Sequence, residues 1–288
     1  MHRDLRGLRM IVTGASSGIG RCLAEEASQR GVQVALTARS AATIGALAEE
    51  LNKRGGRALA IPADITSEAD RAHLLDTVVK QFGGLDILVN NAGVAGWGHF
   101  ASSSEHILRQ TMEVNFFAPA ELMRQAVPIL LKGKTPAVVN VASKCGRRGL
   151  PAWSEYSASK FALCGLTEAL RAEIARFGID VLLILPGLTN SGLFGRLLRT
   201  EGRMKIEPAK GMSPATVAAG ILRALERNCA ETVLGRDARW LLQVNRFFPG
   251  IVDRLMARKV RGLYESGRQR TEVREHRTED KEQRTETK

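Results

Sequence analysis

Tyr156 and Lys160 stand in Tyr-Ser-Ala-Ser-Lys, a spacing that puts both side chains on one face of a helix. A tyrosine ordinarily titrates near about 10, too high for proton transfer at neutral pH. A neighbouring ammonium stabilises the phenolate and lowers that value. Ser143 closes the strand-like run Val139-Asn140-Val141-Ala142-Ser143, and its hydroxyl could bind a carbonyl oxygen beside the phenol. Tyr-x-x-x-Lys alone recurs in helices by chance, so the pair gains meaning only from the groups around it.

A second set of residues could hold a phosphate. Residues 10–20 read Met-Ile-Val-Thr-Gly-Ala-Ser-Ser-Gly-Ile-Gly, with Gly14, Gly18 and Gly20 spaced G-x-x-x-G-x-G around Ser16, Ser17 and Ile19. Glycine lets the backbone turn tightly and approach a pyrophosphate, and a helix opening after Gly18 offers it unpaired N–H groups and a positive dipole end. This is the logic of dinucleotide binding in a variant spacing. A plain strand–helix turn is the other reading of the same residues. An NAD site usually places an acid about 20 residues further on, against the ribose 2′-hydroxyl. No acid occurs between Gly31 and Ala48, and Arg39-Ser40 stands there instead. A guanidinium can grip a 2′-phosphate with two charge-assisted bonds, Ser40 adding a donor, although a solvated surface arginine is the alternative. NADP(H) is therefore expected in preference to NAD(H).

These groups need a scaffold. Short apolar runs at 8–13, 32–37, 57–61, 85–90, 136–142 and 179–185 alternate with helical patterns near 18–30, 41–54, 67–82, 103–132 and 154–177. Runs such as Ile87-Leu88-Val89 are apolar on both faces, as buried parallel strands are. The expected fold class is α/β: a single Rossmann-like, doubly wound parallel sheet with helices on both faces. Ser67 and Asp70 resemble a capping box with a short acidic partner. A helix at 214–229, opened by Ser213-Pro214, a strand at 231–234 and a helical pattern at 238–260, kinked or divided at Pro249-Gly250, complete the folded part. From about 262 the chain is rich in Glu, Arg, Thr and Gln, and disorder is expected. The organisation expected is a domain over 1–235 with a substrate lid at 188–212, a helical extension over 236–261 and a charged tail over 262–288.

Thr13 to Gly20, Asn90-Asn91-Ala92-Gly93, Asn115, Ser143 and Tyr156/Lys160 occur in one order and spacing that resembles the short-chain dehydrogenase/reductase family, over about residues 8–235. The resemblance implies that Tyr156 exchanges a proton with the substrate oxygen. Lys160 would lower the Tyr156 pKa and bind the nicotinamide ribose, Ser143 would orient the carbonyl, and Asn115 would hold a water in a proton relay. An Asn bonded to its own helix backbone is the alternative for Asn115. Asn91, Ala92 and Gly93 resemble the segment lining the adenosine side. Asp64, followed by Ile65, resembles the acid that bonds the adenine amino group, or else caps its own loop. Pro186-Gly187 resembles the turn beside the nicotinamide, with Ser191 or Thr189 in place of the usual threonine. The implied reaction is hydride exchange between a nicotinamide and a carbonyl or secondary alcohol, leaning towards reduction. A fold that kept the cofactor site and lost catalysis, as a sensor or scaffold, is the rival.

The 288 residues carry 42 Lys and Arg against 30 Asp and Glu, a net charge of +12. Most of the surplus lies at 1–9, 196–210 and 236–261, and the body is close to neutral. Cys22, Cys145, Cys164 and Cys229 form no metal or disulfide pattern, so no metal and a reduced, cytoplasmic chain are expected. No signal-peptide pattern or bilayer-length apolar run occurs. The loops 94–102 (Trp97, His99, Phe100) and 144–155 (Cys145, Arg147, Arg148, Leu150, Trp153), with the segment 188–212 (Leu193, Phe194, Leu197, Leu198, Met204), would set substrate choice. They suggest a hydrophobic small molecule with an anionic handle, or simply a mobile lid with a solvated charged face. The apolar stripe of 236–261 fits a membrane surface, its own domain or a second subunit of a homodimer or homotetramer. No nucleic-acid-binding motif occurs.

Overall fold

The computed structural model describes residues 2–202 and 207–263. The charged tail from 264 onward, and Met204 with its neighbours in the lid, lie outside the described residues.

Seven strands, β1 (Arg9–Thr13), β2 (Gln33–Ala38), β3 (Arg57–Pro62), β4 (Ile87–Asn90), β5 (Ala137–Val141), β6 (Asp180–Pro186) and β7 (Glu231–Leu234), form one sheet. Its order is β3-β2-β1-β4-β5-β6-β7 and every pair is parallel. Alternation within each strand divides the core between the two faces. Met10, Val12, Ile87, Val89, Val139 and Ile184 point to one side. There α1 (Gly18–Gln29), α2 (Ala41–Lys53) and later α7 (Pro214–Arg227) cover them through Leu23, Leu47, Ile221 and Leu225. Ile11, Leu88, Val138 and Leu183 point to the other. There α3 (Glu68–Phe82), α5 (Ala118–Leu130) and α6 (Ser154–Ile174) supply Leu74, Val78, Leu122 and Leu163. The central strands β1, β4, β5 and β6 are buried along almost their whole length because helices cover both faces, whereas the edge strands β3 and β7 are partly exposed.

Ser67 caps α3 by accepting from the Asp70 amide at 3.2 Å, but the reciprocal half of the capping box does not form. The short Asp70 side chain accepts instead from the Asp64 amide at 2.7 Å. The stretch expected as one helix over 103–132 is three pieces: α4 (Glu105–Met112), a π turn (Glu113–Phe117) and α5. The C-terminal segment divides at Phe248 into α8 (Arg236–Phe247) and a further helix, α9, over 249–263, with Pro249 at its first position.

Two of the three N-terminal arginines are absorbed into the fold, while Arg6 stays exposed beside Asp4. Arg3 is buried, bonding Asp180 at 2.5 Å and the Leu225 carbonyl at 2.6 Å. Arg9 is paired with the buried Asp86 at 2.7 Å. Among the described residues no helix is long and apolar enough to cross a membrane.

Candidate active site

The chain runs outward from β1 to β3, then returns to place β4 on the other side of β1. In open parallel sheets such a reversal opens a crevice at the carboxyl ends of the strands. A cleft of about 840 Å³ lies there.

One end of the cleft is made of backbone. Gly14 follows β1 at φ +68, and a Cβ on it would sit 2.9 Å from the Ala92 Cα. Gly20 is not part of the lining: a Cβ on it would run into the Gly14 carbonyl and lie 2.6 Å from Asn91 Nδ2. Its lack of a side chain lets α1 press against the strand ends. Ser16, Ser17, Gly18 and Ile19 line the cleft, and Ser17 heads α1 without a capping bond or an acid in the first turn. The first amides of α1 thus remain available to an anion. Thr13 fixes the two strand ends, its hydroxyl receiving the Asn91 and Ala92 amides, each at 2.9 Å. Arg39, Ser40, Asp64, Ile65, Asn91, Ala92 and Gly93 also line the cleft. Asp64 accepts from the Thr66 amide (3.0 Å) and hydroxyl (2.7 Å), so it caps its loop while facing the cleft. Burial works to raise its pKa, but these bonds and the nearby Arg39 charge prevail and hold it below the usual carboxylate range.

At the other end stand Ser143, Tyr156 and Lys160. Ser143 leaves β5, and its oxygen accepts from the Cys145 amide at 3.1 Å. Lys160 is buried on α6, and its Nζ donates to the Val141 carbonyl at 3.0 Å. It lies 5.8 Å from the centre of the Tyr156 ring. Enclosure acts on both members of the pair. Burial pushes the Tyr156 phenol up, with Ser143 pulling the other way. Burial also takes Lys160 down to about 8. Desolvation opposes the charged form of each and outweighs the attraction expected between them.

Asn115 is fully buried in the π turn and lies behind the cleft rather than in its lining. It does not bond its own helix. Its Oδ1 accepts from the Val94 amide and its Nδ2 donates to the Val94 carbonyl and to Ser159 Oγ, all at 2.9 Å. The wider π turn carries the side chain across to the β4 loop. Pro186, Gly187, Thr189 and Ser191 complete the lining. Thr189 donates to the Gly187 carbonyl at 3.1 Å, whereas Ser191 faces the glycine turn.

Three features had no sequence signal strong enough to read. Asn90, Asn140 and Thr167 form a buried chain of 2.9 Å bonds behind the strand ends. The two substrate loops are clasped together, Trp97 bridging to Thr200 and the Leu198 amide bonding the Ala95 carbonyl at 2.9 Å. Arg199 is enclosed in that clasp, 3.8 Å from the buried Glu155, so one charge of the segment read as a solvated lid is interior. Finally Asp237 of α8 accepts from Lys144 at 2.6 Å and from the Leu188 amide at 3.3 Å, tying the C-terminal extension to the site. Aromatic rings form one wall, with Trp153 edge-on to Tyr156 and to Phe194. No cluster suited to a metal ion occurs among the described residues.

Such a sheet, with a glycine turn at its switch point and a Ser/Tyr/Lys group at the far end of one cleft, defines a nucleotide-binding oxidoreductase fold. Residues 9–202 match the short chain dehydrogenase family, and the chain belongs to it. It is 30% identical over 272 residues to dehydrogenase/reductase SDR family member 7B of Bos taurus, covering 91% of this chain and 84% of that one. The ketoacyl reductase HetN of Nostoc is 27% identical, over 87% of this chain and 88% of its own length. A short-chain dehydrogenase structure from Streptomyces avermitilis superposes with a TM-score of 0.74 at 33% identity, covering 88% of this chain and 97% of that one.

Proposed function

We propose that the protein is an NADP(H)-dependent oxidoreductase acting on a carbonyl or secondary alcohol, with Tyr156 as the proton-transferring group. The observation that carries this reading is one continuous cleft holding Arg39 at one end, the glycine turn between, and Ser143, Tyr156 and Lys160 at the other.

The uncapped first turn of α1 and the close approach at Gly14 fit a pyrophosphate. Arg39 and Ser40 would take the 2′-phosphate, Asp64 the adenine amino group, and Asn91 to Gly93 the adenosine side. Lys160 would bind the nicotinamide ribose, with Pro186, Gly187, Thr189 and Ser191 around the ring. A bound nicotinamide supplies or accepts hydride at the substrate carbon. Ser143 holds the substrate oxygen by its hydroxyl. Tyr156 gives that oxygen a proton in reduction and removes one in oxidation. Lys160 favours the phenolate once its own charge is kept. Asn115 holds the β4 loop from behind the cleft through Val94. The apolar wall of Leu150, Trp153, Leu193 and Phe194 suits a hydrophobic carbonyl compound. The ketoacyl reductase among the relatives supports reduction of a keto group. Exposed Phe117 and Phe161 are compatible with assembly as a homodimer or homotetramer.

The test is NADPH and NADH oxidation against a panel of ketones, aldehydes and acyl thioesters. NADPH should show the lower KM, and Arg39→Asp should raise it by about 100-fold, the loss of a bidentate charged contact. A preference for NADH that survives Arg39→Asp would overturn the cofactor assignment. Cofactor binding without turnover of any compound would favour a catalytically silent protein.

A further inference from the structure

Among the described residues, eleven large apolar side chains are exposed, and five of them fall between Trp240 and Leu255. Trp240 and Phe247 lie on one stripe of α8, Phe248 at the break, and Ile251 and Leu255 one turn apart on α9. Their exposures run from 49% to 69%. The inner faces are otherwise employed: Ala238 and Val252 are buried. The outer face is therefore surplus to the packing of the fold.

The charge beside it is one-sided. Residues 236–261 hold seven basic side chains and two acids, and both acids are already paired with basic residues of the domain, Asp237 with Lys144 and Asp253 with Arg148. Arg236, Arg246, Arg254, Arg258 and Arg261 are left around the apolar stripe, with Arg246 stacked on Phe247 at 5.8 Å. The N-terminal arginines, by contrast, are matched by Asp180, Asp4 and Asp86. Residues 264–288 contain seven acids and seven bases and so bring no net charge to neutralise the arm.

We infer that the outer face of α8 and α9 docks on an anionic lipid bilayer. Aromatic and aliphatic side chains enter the headgroup boundary while the arginines meet lipid phosphates, and the two contributions together give reversible surface binding. A second copy is a poorer occupant: a two-fold contact would set this basic face against itself. The inference rests on the surface and is independent of the reaction proposed above. It also gives the arm a position, because Lys259 on α9 and Arg196 line the cleft. The docked bilayer would border the mouth through which an apolar substrate enters.

The experiment is co-sedimentation of the full chain with phosphatidylcholine vesicles and with vesicles of equal phosphatidylcholine and phosphatidylglycerol. Binding should be stronger to the mixed vesicles by on the order of tenfold and should weaken with salt. Trp240→Ser combined with Phe247→Ser and Leu255→Ser should reduce it about tenfold, as should Arg254→Glu with Arg258→Glu. Thermal melting checks that each variant is folded, and the two sets act on different chemistry, so loss of one by misfolding leaves the other. Absence of wild-type binding to the mixed vesicles overturns the inference, as does binding that neither set changes. A fall in solution mass in the variants, without vesicle binding by the wild type, assigns the face to a second subunit instead.

Discussion

The two ends of the cleft are built on opposite plans. The dinucleotide end is made of backbone brought close by small residues: Gly14 against Ala92, Gly20 against the Gly14 carbonyl, Thr13 receiving two amides. The substrate end is made of side chains from distant segments: Arg199 beside Glu155, Asp237 holding Lys144 and the Leu188 amide, Trp153 against Phe194. A backbone site tolerates almost no added atom, since packed main chain cannot step aside. A side-chain site can be retuned one residue at a time. Loops on a rigid sheet are where binding specificity usually resides, and here the division runs through a single cavity.

The sharpest test lies where the halves meet. Tyr156→Phe should lower turnover by about 1,000-fold or more while leaving NADPH affinity within a few-fold, as expected for loss of a proton-transferring group. Near-normal turnover would remove Tyr156 from the chemistry. Next, Gly20→Ala should destabilise the fold by about 2 kcal/mol, the usual scale of overpacking, and weaken cofactor binding with it. Denaturant unfolding and cofactor titration measure the two effects, and an unchanged midpoint would show that the backbone end is less rigid than its contacts imply.

A pH effect of similar size follows from Lys160. Its folded value of about 8 lies below the ordinary 10.5, so between these values the unfolded chain binds the extra proton. Stability should therefore rise with pH across that window, by on the order of 3 kcal/mol relative to Lys160→Met. Parallel unfolding curves for the two proteins would contradict the burial of that amine. The smallest effect is expected at the adaptable end. Asp237→Ala should change kcat or substrate KM by only about three- to tenfold and leave cofactor affinity alone. A larger loss in cofactor affinity would blur the division between the two ends.

The same contrast explains what could be read from sequence. Strands such as Val138 to Val141 and Val181 to Leu185 announce themselves because both faces are buried, and the glycine turn because its chemistry is local. The π turn at Asn115 was invisible: Glu113 to Phe117 continues an ordinary helical pattern, and only the buried amide bonding Val94 reveals the extra residue per turn. The bond between Asn90 and Asn140 was equally hidden, since it depends on two strands lying side by side. Asp237 stands 93 residues from Lys144, and no pattern along the chain links them. The Tyr156–Lys160 spacing predicted a shared helix, which α6 supplies, but spacing says nothing of how much water the fold removes from the pair.

The carboxylate of Asp237 also bears on the order in which the protein is made. All seven strands end by Leu234, so the sheet and its glycine turn are already encoded when synthesis reaches Gly235. The residue that fastens Lys144, next to Ser143, and the Leu188 amide arrives only afterwards. Domains form from the N-terminal side as the chain emerges. A nascent chain that stops short of α8 would thus own a finished dinucleotide turn beside a substrate side that still lacks its Asp237 fastening.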